Sequence, residues 1–341
     1  MAKRQGTWGS LLRAQESGLL LVILGLVVVI ARFAGSYTDK ITGRSVNTFL
    51  NPVALMGVTS DASFFAIMAV GATIVIIAGG IDLSVGSIYA LAGVITALYM
   101  RHSGNTTMWL PLAMCIGIGV VCGALNGLMV SALRVHPFII TLGTMWIFRG
   151  ISYVVSKAES ISFPEAAISA VKSTLGLKSG LYPVPTMIML LVTIAGWLYL
   201  SRSTSGRNVY ALGGNEQAAR YSGIKINRVQ IGVFTISGLS AGIAAFIGGS
   251  FYGAASCADA SGYELKVIAS AVVGGASLTG GKGGAVGALL GAIVIILFSQ
   301  AISYLHLARD YESIIIGCAV IIAVLLDQWS RKLGQRRLRG V

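Results

Sequence analysis

The stretch ASFFAIMAVGATIVIIAG, residues 62–79, carries no charged side chain and no proline. As a helix it would be about 27 Å long, close to the ~30 Å of a bilayer's hydrocarbon core. A helix of this kind bonds all its backbone polar groups internally, which is what lipid demands. Outward from it, further apolar runs lie near 18–35, 83–100, 109–131, 137–155, 183–200, 229–251, 265–278, 283–303 and 311–327. Together they predict about ten membrane spans, each near the ~20 residues a spanning helix needs. The run 265–278 is short and glycines interrupt it.

Composition agrees. Hydrophobic residues make up 55% of the 341 residues and charged residues 11%, with a mean hydropathy of +0.81. A soluble domain carries about 25% charged residues, so this chain lacks the charge to clothe a water-facing surface. No period-2 alternation marks a β-barrel. The predicted fold is all-α: one polytopic transmembrane helix bundle over 1–341, with no soluble domain large enough for a catalytic core.

The net charge of +13 does not point to nucleic acid. No stacking platform or DNA-binding motif accompanies it, and much of it flanks apolar spans. The positive-inside rule accounts for it. One set of connections holds Lys3, Arg4, Arg13, Arg134, Arg202, Arg207, Arg220, Lys225, Arg228, Lys282, Arg331, Lys332, Arg336, Arg337 and Arg339. The other holds Lys40, Arg44, Arg101, Lys157, Lys172, Lys178 and Arg309, mixed with Asp39, Glu159, Glu165, Asp259, Asp310 and Glu312. The first set is assigned to the cytoplasm, and the even span count puts both termini there. The run Gly18–Ala34 resembles a signal peptide, but it lacks a small-residue cleavage site and is read as an uncleaved first helix. Cys115, Cys122, Cys257 and Cys318 show no metal spacing and are read as small buried hydrophobes.

Glycines recur every fourth residue at Gly119, Gly123 and Gly127, at Gly283, Gly287 and Gly291, and at Gly238 and Gly242. Each set is a bare stripe on one helix face and predicts close helix packing.

Three stretches concentrate polar chemistry. In GGIDLSVGS, residues 79–87, a carboxylate interrupts two apolar runs. At membrane depth it must face protein, water or a helix terminus. Asp82 is expected to cap a helix beginning at Leu83, with Ser84 in the first turn. In the long inner loop 201–228, Asn215 suits an N-cap, Glu216 the first turn, Arg220 the last, and Gly223 the position past the end. The resulting two-turn helix, Asn215–Ser222, is marginal alone in water and must dock on its own membrane domain or on a partner. Ala218 and Ala219 would let it seat closely. In GGASLTGGKGG, residues 274–284, a phosphate loop fails twice. Ala276 stands where a Walker pattern needs glycine, and Gly283 where it needs Ser or Thr. A tight inside turn with Lys282 at the interface is expected instead.

Catalytic, metal and cofactor motifs are absent. His102, His136 and His306 lie far apart, each at the end of a span. Arg149 either snorkels or lines a polar cavity. Asn126, Thr141 and Thr144 are polar groups inside apolar spans. They suit a hydroxylated solute or a neighbouring helix. The outer loop 156–182 has room for a short helix.

Four blocks resemble the permease subunit of bacterial ABC importers for monosaccharides, the ribose, arabinose, xylose and galactose group. They are GGIDLSVGS at 79–87, PFIITLGTM at 137–145, GRNVYALGGNEQAARYSGI at 206–224, and GYELKVIASAVVGGASLTGGKGG at 262–284. The third is the most specific. The resemblance runs from the second span to the basic tail at 328–341. It implies a bacterial inner-membrane protein that is not itself an enzyme and binds no cofactor. It also implies partners: a second permease copy as a homodimer, a separate ABC ATPase subunit, and a periplasmic sugar-binding protein docking near 156–182 and 252–264. The cargo it implies is a ribose-like pentose or a hexose. Gly213, Asn215, Glu216, Ala218, Ala219, Arg220 and Gly223 fall on the family's coupling helix. Asp82, Ser84, Asn126, Thr141 and Thr144 are the candidates for the translocation path. The rival is a stand-alone secondary transporter or channel, which calls for paired intramembrane ions or discontinuous helices. Asp82 alone does not supply a pair.

Overall fold

The computed structural model describes residues 7–38, 43–103, 107–305, 307, 308, 311, 312, 314, 315, 317, 318 and 321. The basic tail, Lys3, Arg4, His306 and most of the run 311–327 lie outside the described residues. The long helices are α1 (Thr7–Phe33), α2 (Pro52–Ile77), α3 (Val85–Ser103), α4 (Trp109–Leu133), α5 (Pro137–Ser156), α7 (Val184–Arg202), α10 (Ile226–Tyr252) and α12 (Ala285–Tyr304). Shorter ones are α6 (Glu165–Val171), α8 (Thr204–Gly214), α9 (Glu216–Tyr221) and α11 (Tyr263–Val273). Two small antiparallel pairs join β1 (Ser36–Thr38) to β2 (Ser45–Asn47), and β3 (Ile161–Ser162) to β4 (Ala254–Ala255). The all-α bundle is as expected, and α6 is the short helix of the 156–182 loop.

Seven described helices are long and apolar enough to cross a membrane: α1, α2, α4, α5, α7, α10 and α12. Two other expected spans take different forms. The helix α3 has 19 residues but begins inside the bundle. With 11 residues, α11 is about 17 Å long and as a helix covers only part of a crossing.

The helix α2 is the centre. It packs against α7, α10, α11 and α12, and its residues Ala62–Ile77 are all buried. A helix surrounded by helices is apolar all round, which is how 62–79 reads. It starts ten residues earlier than the apolar run, because Asn51 caps it, accepting from the Ala54 amide at 2.9 Å, and Pro52 suits the first position. Asp61 and Thr59 in those early turns had hidden them from a hydropathy reading. At the rim, α5 and α7 turn Trp146, Val154, Leu191 and Ile194 outward, an apolar surface suited to lipid.

The glycine stripes are helix contacts. A Cβ on Gly119 or Gly123 would overlap the backbone of α10, at the Gly238 and Phe234 carbonyls respectively, and a Cβ on Gly238 would overlap the Gly119 carbonyl. Gly287 and Gly291 meet Gly274, just past the end of α11, and Ser270 of α11 in the same way. Gly283 does not belong to its expected stripe. It sits before α12 with φ +142°, in the turn. Gly238→Leu is expected to separate α4 from α10. Overpacking costs about 1–3 kcal/mol and more against rigid backbone. A lower melting temperature and poor membrane yield would show it, whereas yield equal to wild type would mean the crossing can relax.

Cys115, Cys122 and Cys257 are buried as expected, but Cys318 is exposed. A position in an apolar run does not ensure burial inside one chain, because the rim of a membrane bundle is apolar too.

Candidate functional site

The segment 78–84 leaves helical geometry between α2 and α3. It does so beside Asn126, about two turns from the end of α4, and Ser237, about three turns into α10. Irregular backbone at that depth is tolerated only within protein. Here α2 ends with the Gly79 amide donating to the Ile76 carbonyl and the Gly80 amide to Val75, with Gly79 at φ +86°. The Ile81 carbonyl accepts from the Thr141 hydroxyl of α5 at 3.0 Å.

Asp82 is buried, 1% exposed. Its Oδ1 accepts from the Ser84 amide at 2.9 Å and from the Ser84 hydroxyl at 2.6 Å. Its Oδ2 accepts from the Ser237 hydroxyl at 2.7 Å. Asn126 donates to the Ser84 hydroxyl oxygen at 2.7 Å. The helix begins at Val85 rather than Leu83, and Asp82 bonds no amide inside it. This corrects the expected cap: the carboxylate braces the entry loop and ties it to α10. Of the five expected path residues, Asp82, Ser84, Asn126 and Thr141 meet around this one loop. Thr144 stands one turn along α5, donating to the Thr141 carbonyl at 3.3 Å. All five are buried. Sequence reasoning missed Ser237, whose only signal was a hydroxyl beside Gly238.

The inner loop holds two helices, not one. Ser203 caps α8, accepting from the Gly206 amide at 2.8 Å. Bare Gly206 lets α8 fold back against α7, since a Cβ there would overlap the Tyr199 carbonyl. The glycines and small residues of 204–214 had masked this helix. Asn215 caps α9, accepting from the Ala218 amide at 2.9 Å. Glu216 and Arg220 pair at 2.8 Å. Gly223 has φ +82°, and the Ile224 amide reaches the Ala219 carbonyl at 3.1 Å, closing the end as expected.

The pair docks on its own domain. Leu212, Ala219 and Ile226 form a small cluster, and Val209 packs with Ile74, Val75 and Ile77 of α2. The Tyr210 hydroxyl donates to the Gly283 carbonyl at 2.8 Å. Gly213 is pressed on the end of α2. A Cβ there would overlap the Ile77 carbonyl and lie 2.7 Å from the Gly281 amide, which itself donates to Ile77 at 2.8 Å. Of the seven expected coupling residues, Gly213 and Ala219 therefore face the membrane domain. Asn215, Glu216, Ala218, Arg220 and Gly223 are exposed.

The 274–284 segment is a turn, as expected, closed by the Ser277 amide on the Lys282 carbonyl at 3.1 Å and the Gly280 amide on Ser277 at 2.8 Å. Arg149 neither snorkels nor lines the cavity beside it; it turns to backbone. It donates to the Cys257 and Asp259 carbonyls at 2.6 Å each and to Ala260 at 3.3 Å, clamping the loop before α11. No group of metal-ligating side chains occurs among the described residues.

The chain matches the family described as "Branched-chain amino acid transport system / permease component" over residues 54–325. It is 34% identical to the ribose import permease protein of Escherichia coli over 314 residues, 92% of this chain and 93% of that one. It is 37% identical to the D-allose transport system permease protein of the same organism over 286 residues, 82% and 85% of the two chains. The fructose import permease protein of Rhizobium meliloti is 29% identical over 320 residues, 92% and 85%. The resemblance to monosaccharide-importer permeases carried by the four blocks is therefore borne out, and the chain is a multi-pass membrane protein belonging to this permease-component family.

Proposed function

We propose that the chain is the membrane subunit of an ATP-driven importer that moves a monosaccharide, a ribose-like pentose or a hexose, across the bacterial inner membrane. It pairs with a second copy, takes sugar from a periplasmic binding protein, and draws on a separate ATPase docked against α9. About ten spans with both termini in the cytoplasm place α8–α9 on the ATPase side, by the positive-inside rule.

The observation that carries this reading is the two-sided α9. Its inner side is seated through Ala219 and, via α8, through Gly213 on Ile77 of α2 and Gly281 of the 274–284 turn. Its outer side presents Asn215, Glu216, Ala218 and Arg220 to whatever docks there. A push on α9 is then delivered to the two segments that bracket the bundle's buried centre. Asp82, Ser84, Asn126, Thr141 and Thr144 face the path only when α3, α4, α5 and α10 part, because packing closes them off in this conformation.

The test is co-purification with the ATPase and uptake of labelled D-ribose, D-allose and D-fructose by the assembled complex. Glu216→Lys combined with Arg220→Glu is expected to change stability by no more than about 1–2 kcal/mol, since it keeps an exposed i,i+4 pair and reverses its charges against the helix dipole. ATPase capture and uptake should nevertheless fall several-fold, because side-chain positions on the docking face are exchanged. Uptake that persists with no ATPase present would make the chain a stand-alone transporter.

A further inference from the structure

At the end of α10 opposite α9 lies a cavity of about 320 Å³, lined in part by Tyr89, Tyr252, Asp259, Ser261 and Tyr263. None of the residues expected to form the path or the coupling helix lines it; apart from Tyr89 its lining belongs to 156–182 and 252–264, the loops expected to meet the binding protein. Its size is at the lower end of the ~300–1,000 Å³ typical of small-molecule sites.

Three observations make it a built site. Tyr89 is 6% exposed, and its hydroxyl has no hydrogen-bond partner among the described residues. Bare Gly248 makes room for it, since a Cβ there would overlap that hydroxyl. Asp259 accepts from the Ser256 amide at 2.8 Å through Oδ2, and its other oxygen has no protein donor among the described residues. Partial burial raises the pKa of this carboxyl, against the pull of the Ser256 amide and Arg149, so an outside hydroxyl donor would be welcome to it. The walls are also held firmly. Tyr263 stacks at a tilt on Phe65 with centroids 4.5 Å apart. The Tyr252 hydroxyl donates to Asp61 at 3.1 Å. Arg149 fixes the carbonyls of residues 257, 259 and 260.

The chemistry is selective. Aromatic faces suit the apolar C–H face of a sugar ring, and a carboxylate with free phenol and serine hydroxyls suits its edge. An amino acid would bring its own carboxylate up against that of Asp259. Among the described residues no Lys, Arg or His lines the cavity, and nearby Arg149 is committed to backbone. We propose that this cavity is a monosaccharide-binding subsite at the mouth of the path, with Tyr89 and Asp259 holding ring hydroxyls and Tyr252 and Tyr263 supplying the stacking surface. The proposal rests on the importer reading above.

The test uses the whole importer in proteoliposomes, with labelled D-ribose as probe and binding-protein-stimulated ATP hydrolysis measured alongside. Tyr89→Phe removes only the hydroxyl, and Asp259→Asn only the charge. Sugar delivered per ATP is expected to fall about threefold in the first and about tenfold in the second, the scale of one neutral and one charged hydrogen bond. Hydrolysis should fall less than delivery in both, and excess L-leucine should not compete. The split between delivery and hydrolysis in either variant supports the subsite. Unchanged delivery in both overturns it. So does a parallel fall of hydrolysis and delivery in both, which would assign these side chains to docking or packing. A wild-type complex that imports none of D-ribose, D-allose and D-fructose overturns the importer reading instead.

Discussion

Asp82→Ala is expected to lower the melting temperature of the purified chain by several degrees and to abolish uptake. The carboxylate is the shared acceptor for the Ser84 amide, the Ser84 hydroxyl and the Ser237 hydroxyl. Each buried group left unpaired costs about 1–3 kcal/mol. Several such losses would make this one of the large single-residue effects. Function suffers with stability, because the same contacts fix the loop from which α3 starts and tie it to α10. Asp82→Asn separates packing from charge. Its side-chain oxygen can still accept from Ser84, and the Ser237 hydroxyl can rotate to accept from its amide. Stability and uptake should both come back close to wild type. An Asp82→Asn chain that melts with wild type yet transports nothing would show that the negative charge itself is used, as a coupling ion site would require.

Gly213→Val is expected to uncouple the transporter. Its Cβ would overlap the Ile77 carbonyl, so α8 must lift from the end of α2. The displaced contact includes the 274–284 turn, since Gly280 and Gly281 both lie against Gly213. Overpacking costs about 1–3 kcal/mol, enough to shift the seated population of the helix pair by about fivefold to a hundredfold. The membrane bundle should survive, because its core cluster of α2, α3, α10 and α12 residues lies apart from this contact. The assembled complex should therefore keep ATP hydrolysis while losing most uptake. Uptake equal to wild type would mean that force does not pass through this contact. Gly214→Ala is the matched control, because a Cβ there meets nothing within 4 Å.

How far the sequence could be read depended on how local each feature was. The cap at Asn215, the Glu216–Arg220 pair and the glycine at 223 involve residues within one or two turns of each other, and the structure places them as expected. The helix α8 was hidden because its glycines have low helix propensity. They are there for approach to α7 and α2, not for the helix itself. The early turns of α2 were hidden because Asp61 looks wrong in a span. It is bonded to Tyr252 and Gln300 from distant parts of the chain. The five polar residues inside the spans were visible as candidates, but their contacts were not, because 42 positions separate Asn126 from Ser84, and Ser237, 155 positions from Asp82, carried no signal that linked it to them.

By itself the sequence determined that this is an all-α membrane protein. Hydropathy and charge segregation act through solvent, and each segment meets that solvent independently of the others. It also determined the short capped helix at 215–222 and the stripes along which helices would touch. Only the tertiary structure decided which stripe meets which, that α3 starts within the bundle, and that Asp82 braces a loop rather than capping a helix. It also decided that Gly213 presses on Ile77. Those outcomes depend on backbone-to-backbone approach and on polar groups finding partners across the bundle, and no local pattern in the chain encodes either.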